Sequence, residues 1–255
     1  MALFQIEYYS DILAMDRNVN VIIPDKGKLA SGETLCDIPV LYLLHGMGAN
    51  HNTWLKRSGI DRLVRYAKLA VVMPSSDMAF YTNTHYGMKY FDALAVELPD
   101  RLQEFFSFFS ASREKNYVAG FSMGGYGAYK MALRTNRFGY AASLSGALSF
   151  EGFNPLDIAG SAYWNGIFGD MNHFETSADN LLICAQNKIA AGETLPKLYA
   201  WCGAQDFLYQ ANVYAADALH NLGYDITFET SEGTHDWDYW AKQIETILQW
   251  LPISS

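Results

Sequence analysis

Val40-Leu41-Tyr42-Leu43-Leu44 is an unbroken apolar run. A strand with one face in water alternates apolar and polar residues, so an uninterrupted run marks a strand buried on both faces. Runs of the same kind recur at Leu69 to Met73, Tyr117 to Phe121, Tyr140 to Leu144, Leu198 to Cys202 and Ile226 to Glu229. Helical patterns fill the intervals between them. Such alternation predicts an α/β protein with a mostly parallel central sheet flanked by helices on both faces.

The helices read at different strengths. Leu94, Leu98, Leu102, Phe105, Phe106 and Phe109 mark one apolar face, and Pro99 inside it predicts a kink or a fresh helix start. Tyr214, Ala215, Ala218, Leu219 and Leu222 make a second stripe, closed by Gly223 as a C-cap. The last is the clearest: Trp237, Trp240, Ala241, Ile244, Ile247, Leu248 and Leu251 keep three-four spacing until Pro252. Near the start, Phe4 to Tyr9 and Val19 to Ile23 read as antiparallel edge strands, followed by a turn region between Pro24 and Asp37. From about Gly146 to Leu195 the pattern becomes irregular and rich in Gly, Asn, Ser and aromatics. A structureless loop of that length is improbable in a compact domain, so the segment reads as an insertion with small helices of its own.

Composition narrows the function. Lys and Arg number 18 and Asp and Glu 27, giving 18 − 27 = −9. With no surplus of cations to neutralise phosphates, a nucleic-acid partner is not expected. No apolar stretch approaches the roughly 18 residues of a membrane span. The sequence MALFQIEYYSD has neither the basic nor the apolar part of a signal peptide. Cys36, Cys184 and Cys202 cannot all pair, and their spacing suits no metal site. The expectation is a cytoplasmic globular enzyme with no membrane association.

Its chemistry is indicated by Gly120-Phe121-Ser122-Met123-Gly124, a G-x-S-x-G with a strand before it and a helical pattern from Met123 to Arg134 after it. In that context the serine sits on a strained strand-to-helix turn whose flanking positions admit no bulk. Its Oγ is exposed at a helix N-terminus, where a developing anion is favoured. Ser122 is therefore the candidate nucleophile.

A serine needs a base, and the base an orienting acid. Of six histidines, His45 and His51 flank an early turn, His85 and His173 fall in irregular segments, and His220 sits near a helix end. His235 stands between the last strand and the last helix, at the sheet edge where ligands bind in open α/β folds. Asp206, just past the strand Leu198 to Cys202, is the best-placed acid. Asp157, Asp170 and Asp179 lie in the insertion, Asp217 is mid-helix, and Asp225 starts a strand from the wrong end. Asp236 and Asp238 suit the first turn of the last helix. An oxyanion hole needs two backbone N–H donors. Met123 supplies one, and the loop His45-Gly46-Met47-Gly48 the other, from Met47 with Gly46 as the fallback. His45 is expected to fix that loop.

The segments His45-Gly46-Met47-Gly48-Ala49-Asn50-His51-Asn52-Thr53-Trp54, Gly120 to Gly125, Gly203-Ala204-Gln205-Asp206-Phe207-Leu208-Tyr209 and Gly233-Thr234-His235-Asp236-Trp237 resemble those of the esterase D-type α/β-hydrolases. The bacterial tributyrin and acetyl esterases are the nearest branch, with acetyl xylan and feruloyl esterases related. The similarity runs from about Phe4 to Leu251. It implies an α/β-hydrolase fold and a cytoplasmic carboxylesterase for short acyl chains, with Ser122, Asp206 and His235 as triad and Met47 and Met123 as oxyanion donors. S-formylglutathione hydrolases of this superfamily carry a Ser-Gly-Leu-Thr-Cys-type loop where this chain has His45 to Gly48, which lowers the case for glutathione thioesters.

No cofactor or metal is required for this chemistry, and the expected partner is a small-molecule ester. A thioesterase or acyltransferase would use the same three residues. A non-catalytic binding protein on this fold would usually lack one of them. Trp54 and Gly46 are candidate substrate contacts, and Tyr81, Tyr86, Tyr163, Trp164, Phe168 and Phe174 are further aromatics placed to line a pocket or pack a cap. Met-rich and aromatic segments also occur at oligomeric surfaces, so a homo-oligomer is one possible assembly. Ser122 and Met47 precede the irregular stretch while Asp206 and His235 follow it. One domain over residues 1–255, interrupted at about 146–195 by a cap insertion, is therefore expected.

Overall fold

The computed structural model describes residues 1–24 and 35–253, so much of the turn region expected between Pro24 and Asp37 lies outside the described residues. Eight strands form one sheet: β1 (Ala2–Ser10), β2 (Met15–Ile23), β3 (Val40–Leu44), β4 (Ala70–Pro74), β5 (Asn116–Phe121), β6 (Tyr140–Leu144), β7 (Lys197–Gly203) and β8 (Ile226–Ser231). Their order is β1-β2-β4-β3-β5-β6-β7-β8. The first two pair antiparallel with each other, and β2 runs antiparallel to β4. From β4 to β8 every neighbouring pair is parallel.

The apolar runs are continuous because the sheet separates two cores. Val40, Tyr42 and Leu44 of β3 pack into one, and Leu41 and Leu43 into the other. β4 divides in the same way, with Ala70 and Val72 on one side and Val71 and Met73 on the other. Fully burying an aliphatic side chain of this size contributes about 1.5–3 kcal/mol, so a strand apolar on both faces draws on both layers of helices.

Short helices α1 (Thr53–Arg57) and α2 (Ile60–Leu63) follow β3. After β4 come α3 (Tyr90–Asp92), a π-helical turn at Ala93–Glu97, and α4 (Leu98–Phe105). Pro99 directly follows the π-helical turn in a backbone that stays right-handed helical through Asp92, Ala93, Glu97 and Leu98, so the sequence pattern resolves as a local widening within one helical run and not as a fresh start. α5 (Met123–Arg134) leaves β5 through Ser122. The stretch between β6 and β7 holds 3-10 turns at Pro155–Asp157 and Met171–Thr176, and helices α6 (Ser161–Phe168) and α7 (Leu181–Ala190). It is not uniform, because α7 packs on α5 as one of the helices flanking the sheet. Finally, α8 (Tyr209–Asn221) and α9 (Trp237–Trp250) carry the two stripes read from the sequence. Helices α4, α5, α7 and α8 bury residues in one core, while α1, α2 and α9 cover the opposite face with Trp54, Ile60, Trp240, Ile244 and Ile247. No helix of the described residues is long and apolar enough to cross a membrane.

Candidate active site

The strand-to-helix turn at Ser122 is as tight as its glycines imply. Ser122 has φ 53° and ψ −122°, a left-handed backbone region that a non-glycine residue occupies only under constraint. A Cβ on Gly120 would lie 2.3 Å from the carbonyl oxygen of Gly124, and one on Gly124 would lie 2.4 Å from that of Leu44. The helix start is thus pressed against β3 with no room for a methyl group. The Ser122 N–H donates to Leu144 O at 2.9 Å, and Ser122 O accepts from Ala147 N at 3.3 Å, fixing the turn to β6.

Two other loops meet it at the same sheet edge. Ser122 Oγ lies 3.0 Å from His235 Nε2, and His235 Nδ1 lies 2.9 and 3.1 Å from the two carboxylate oxygens of Asp206. Asp206 Oδ1 also accepts the N–H of Leu208 at 2.9 Å, and its carboxylate is fully shielded from solvent. A carboxylate on Nδ1 leaves Nε2 free to take a proton from the serine. The loops carrying the acid and the histidine are laced together: Gly233 N donates to Gln205 Oε1 at 2.8 Å, Gln205 N to Gly233 O at 3.0 Å, and Ala204 N to Ser231 O at 2.9 Å. The imidazole is held between rings, with Phe207 at 4.6 Å and the buried Trp240 edge-on at 4.8 Å. Trp240 in turn donates its indole N–H to Ser145 Oγ at 3.2 Å.

The loop after β3 faces the serine from the other side. Met123 is the first residue of α5, so its N–H has no intrahelical acceptor. Met47 sits in the turn closed by Ala49 N donating to Gly46 O at 3.2 Å. The ring of Phe121 occupies the space beside Gly46, where a Cβ would meet it at 2.4 Å. His45 anchors this loop: one ring nitrogen bonds Gly46 O at 2.7 Å, and Nε2 accepts the N–H of Ser76 at 2.9 Å. This bonding sets the tautomer with the proton on Nδ1. Burial pushes the His45 pKa down to about 4, so the ring is neutral. Tyr81, fully buried, donates its hydroxyl to His45 O at 2.9 Å.

One expected contact is corrected. Trp54 is 1% exposed, donates its indole N–H to Leu44 O and packs against Phe121 and Trp237. It is core beneath the edge of the sheet and cannot line a pocket, because its N–H bond turns the ring under the β3 terminus. Among the insertion aromatics, Trp164 and Phe174 are buried while Tyr163 and Phe168 are half-buried. Tyr163 reaches out of the insertion to donate to Met78 O at 2.7 Å. Two residues near the site were not singled out from the sequence: Phe207 on the imidazole face, and Met78, whose sulfur lies 3.2 Å from Gly48 N. Position was the available signal, since Phe207 follows Asp206 directly and Met78 lies just past the end of β4. Among the described residues no group of three or more His, Cys, Asp or Glu side chains converges to hold a metal ion.

Comparison with known proteins decides the family. The Esterase family model matches residues 10–251. The acetyl esterase of Caldicellulosiruptor saccharolyticus is 32% identical over 263 aligned residues, covering 98% of both chains. The chain belongs to the esterase family. Among solved structures, substrate-bound FphF, a fluorophosphonate-binding serine hydrolase of Staphylococcus aureus, aligns at TM-score 0.88 with 32% identity over 98% of each chain. The S-formylglutathione hydrolase FrmB of the same organism aligns at 0.86 with 33% identity, again over 98% of each. This esterase is therefore a carboxylic ester hydrolase with the α/β-hydrolase fold, as the motifs implied.

Proposed function

We propose that this esterase hydrolyses short-chain acyl esters through Ser122, His235 and Asp206. Ser122 Oγ attacks the ester carbonyl carbon while its proton passes to His235 Nε2. The carbonyl oxygen becomes an oxyanion between the N–H groups of Met47 and Met123. The C–O bond to the alcohol then breaks, and the imidazolium returns the proton to the leaving oxygen. Water, deprotonated by the same histidine, hydrolyses the acyl-enzyme through a second oxyanion. Asp206 holds Nδ1–H and stabilises the imidazolium throughout. The observation that carries the proposal is the 3.0 Å contact from Ser122 Oγ to His235 Nε2, with the Asp206 carboxylate on the opposite ring nitrogen.

The short acyl preference is supported by the similarity to an acetyl esterase. The chain is read as one domain, with residues from about 146 to 195 as an insertion whose first part, through α6, caps the site. A small-molecule ester is the proposed partner, without nucleic acid or membrane. A cytoplasmic location is supported by Cys36, Cys184 and Cys202 all being unpaired.

The test is a p-nitrophenyl ester series from acetate to decanoate, run on the wild type and on Ser122→Ala. Turnover is expected to peak at acetate to butyrate and to vanish in the variant while circular dichroism stays native. A variant with wild-type turnover removes Ser122 as nucleophile, and a maximum at long chains removes the short-acyl reading.

A further inference from the structure

We infer that the alcohol half of the substrate is apolar and carries no negative charge, and that Phe207 and Phe153 form the wall that receives it. The inference rests on the proposed roles of Ser122 and His235. To be protonated on departure, the leaving oxygen must come within hydrogen-bond reach of His235 Nε2. Whatever that oxygen carries must then extend along the accessible side of the imidazole, because Trp240 closes another side with a buried ring. The accessible side is Phe207, 4.6 Å from the imidazole and 50% exposed. Phe153 of the insertion, half-buried, stands 6.1 Å from Phe207 and 5.6 Å from Phe150. An exposed aromatic ring beside the proton donor offers an aryl or alkyl group stacking and burial, and its electron-rich face offers an anion nothing.

Charge points the same way. No Lys or Arg occurs between Arg137 and Lys188 or between Lys197 and Lys242, the segments that contain Phe153, Phe207 and His235. Those segments carry Glu151, Asp157, Glu232, Asp236 and Asp238. An anionic leaving group such as glutathione, with its carboxylates, finds acidic residues and no Lys or Arg in these segments, a combination that lowers affinity and encounter rate.

The test uses acetate esters that share one acetyl-enzyme and differ only in the alcohol: 1-naphthyl, phenyl, ethyl and 4-carboxyphenyl. Values of kcat/KM are compared for the wild type, Phe207→Ala and Phe153→Ala, with folding followed by circular dichroism and Ser122→Ala as the blank. In Phe207→Ala the ratio of 1-naphthyl to ethyl acetate is expected to fall about fivefold, the scale of one lost aromatic contact, and in Phe153→Ala by a smaller factor. The wild type is expected to use 4-carboxyphenyl acetate several-fold less well than phenyl acetate, with the gap closing as salt is added. An unchanged naphthyl-to-ethyl ratio, or an equal loss on both esters, overturns the wall, the latter making Phe207 only a support for His235. Equal use of the anionic and neutral aryl esters overturns the charge preference. Hydrolysis surviving in Ser122→Ala instead overturns the nucleophile assignment, whatever the Phe207 variant does.

Discussion

The ammonium of Lys130, two turns along α5 from Ser122, is ion-paired with Asp179 and hydrogen-bonded to Thr82 with no exposure to solvent. The Asp179 side chain keeps 20% exposure. Tyr126, one turn earlier on α5, donates its hydroxyl to Asp179 O at 2.7 Å. The helix that begins at the nucleophile is thus bolted to the chain just ahead of α7. Burial pushes the Lys130 pKa down to about 8, although Asp179 pulls it upward. Removing one partner of such a pair strands the other, whereas replacing both with apolar residues is far milder. Lys130→Met is expected to lower stability by about 3 kcal/mol, and Lys130→Met with Asp179→Leu to recover most of it. Urea unfolding of the single and double variants checks this. A double variant as unstable as Lys130→Met would show that the pair is not the unit that matters.

Asp206→Asn probes the acid. Asparagine keeps the shape but no longer fixes the proton on His235 Nδ1, and this class of change can cost about 10⁴ in kcat. The loss is expected in kcat for p-nitrophenyl acetate, with KM nearly constant. A loss under tenfold would assign the role to another carboxylate.

Gly124→Ala probes the elbow. Its new methyl carbon would stand 2.4 Å from Leu44 O and 2.7 Å from His45 O, both backbone atoms that cannot rotate aside. Separating α5 from β3 is expected to cost about 3 kcal/mol. It also shifts Met123 away from Met47, so turnover should fall even at temperatures where the variant remains folded. A wild-type urea midpoint would contradict the packing described here.

His45 gives the protein an acid-sensitive element. Its pKa of about 4 in the fold lies below the ordinary value of 6.5. Between those values the unfolded chain binds a proton that the folded chain does not. Stability from this group is therefore complete above pH 6.5 and is lost as the pH falls towards 4, by up to about 3 kcal/mol. Urea midpoints measured from pH 7 to pH 4 should decline more steeply for the wild type than for His45→Asn. Parallel profiles would mean that His45 does not titrate as its burial requires.

Much of this architecture was legible in the sequence, for identifiable reasons. Strands buried on both faces have no polar alternation, so each appeared as a solid apolar run. Ser122, Asp206 and His235 are legible because each follows an apolar strand run, and the structure brings the three together. Helix α7 was not legible, because its buried side includes Lys188, which bonds Thr135 O, Asn136 and Glu193 and interrupts the apolar period. Trp54 misled because nearness to the Gly46–Gly48 loop in sequence says nothing about which side of the sheet a ring turns to. The π-helical turn before Pro99 left no mark beyond the proline itself.

The lacing between Gln205 and Gly233 has a mechanical consequence. With backbone and side-chain bonds running both ways across the two loops, Asp206 and His235 behave as one jaw, while Ser122 is held separately on the β5–α5 turn, tied to β6. Thermal or chemical loosening of the sheet edge should then open the gap between serine and imidazole first, leaving the imidazole and its carboxylate still clasped. The earliest damaged form of the enzyme would be a protein with an intact proton relay and nothing in place to give it a proton.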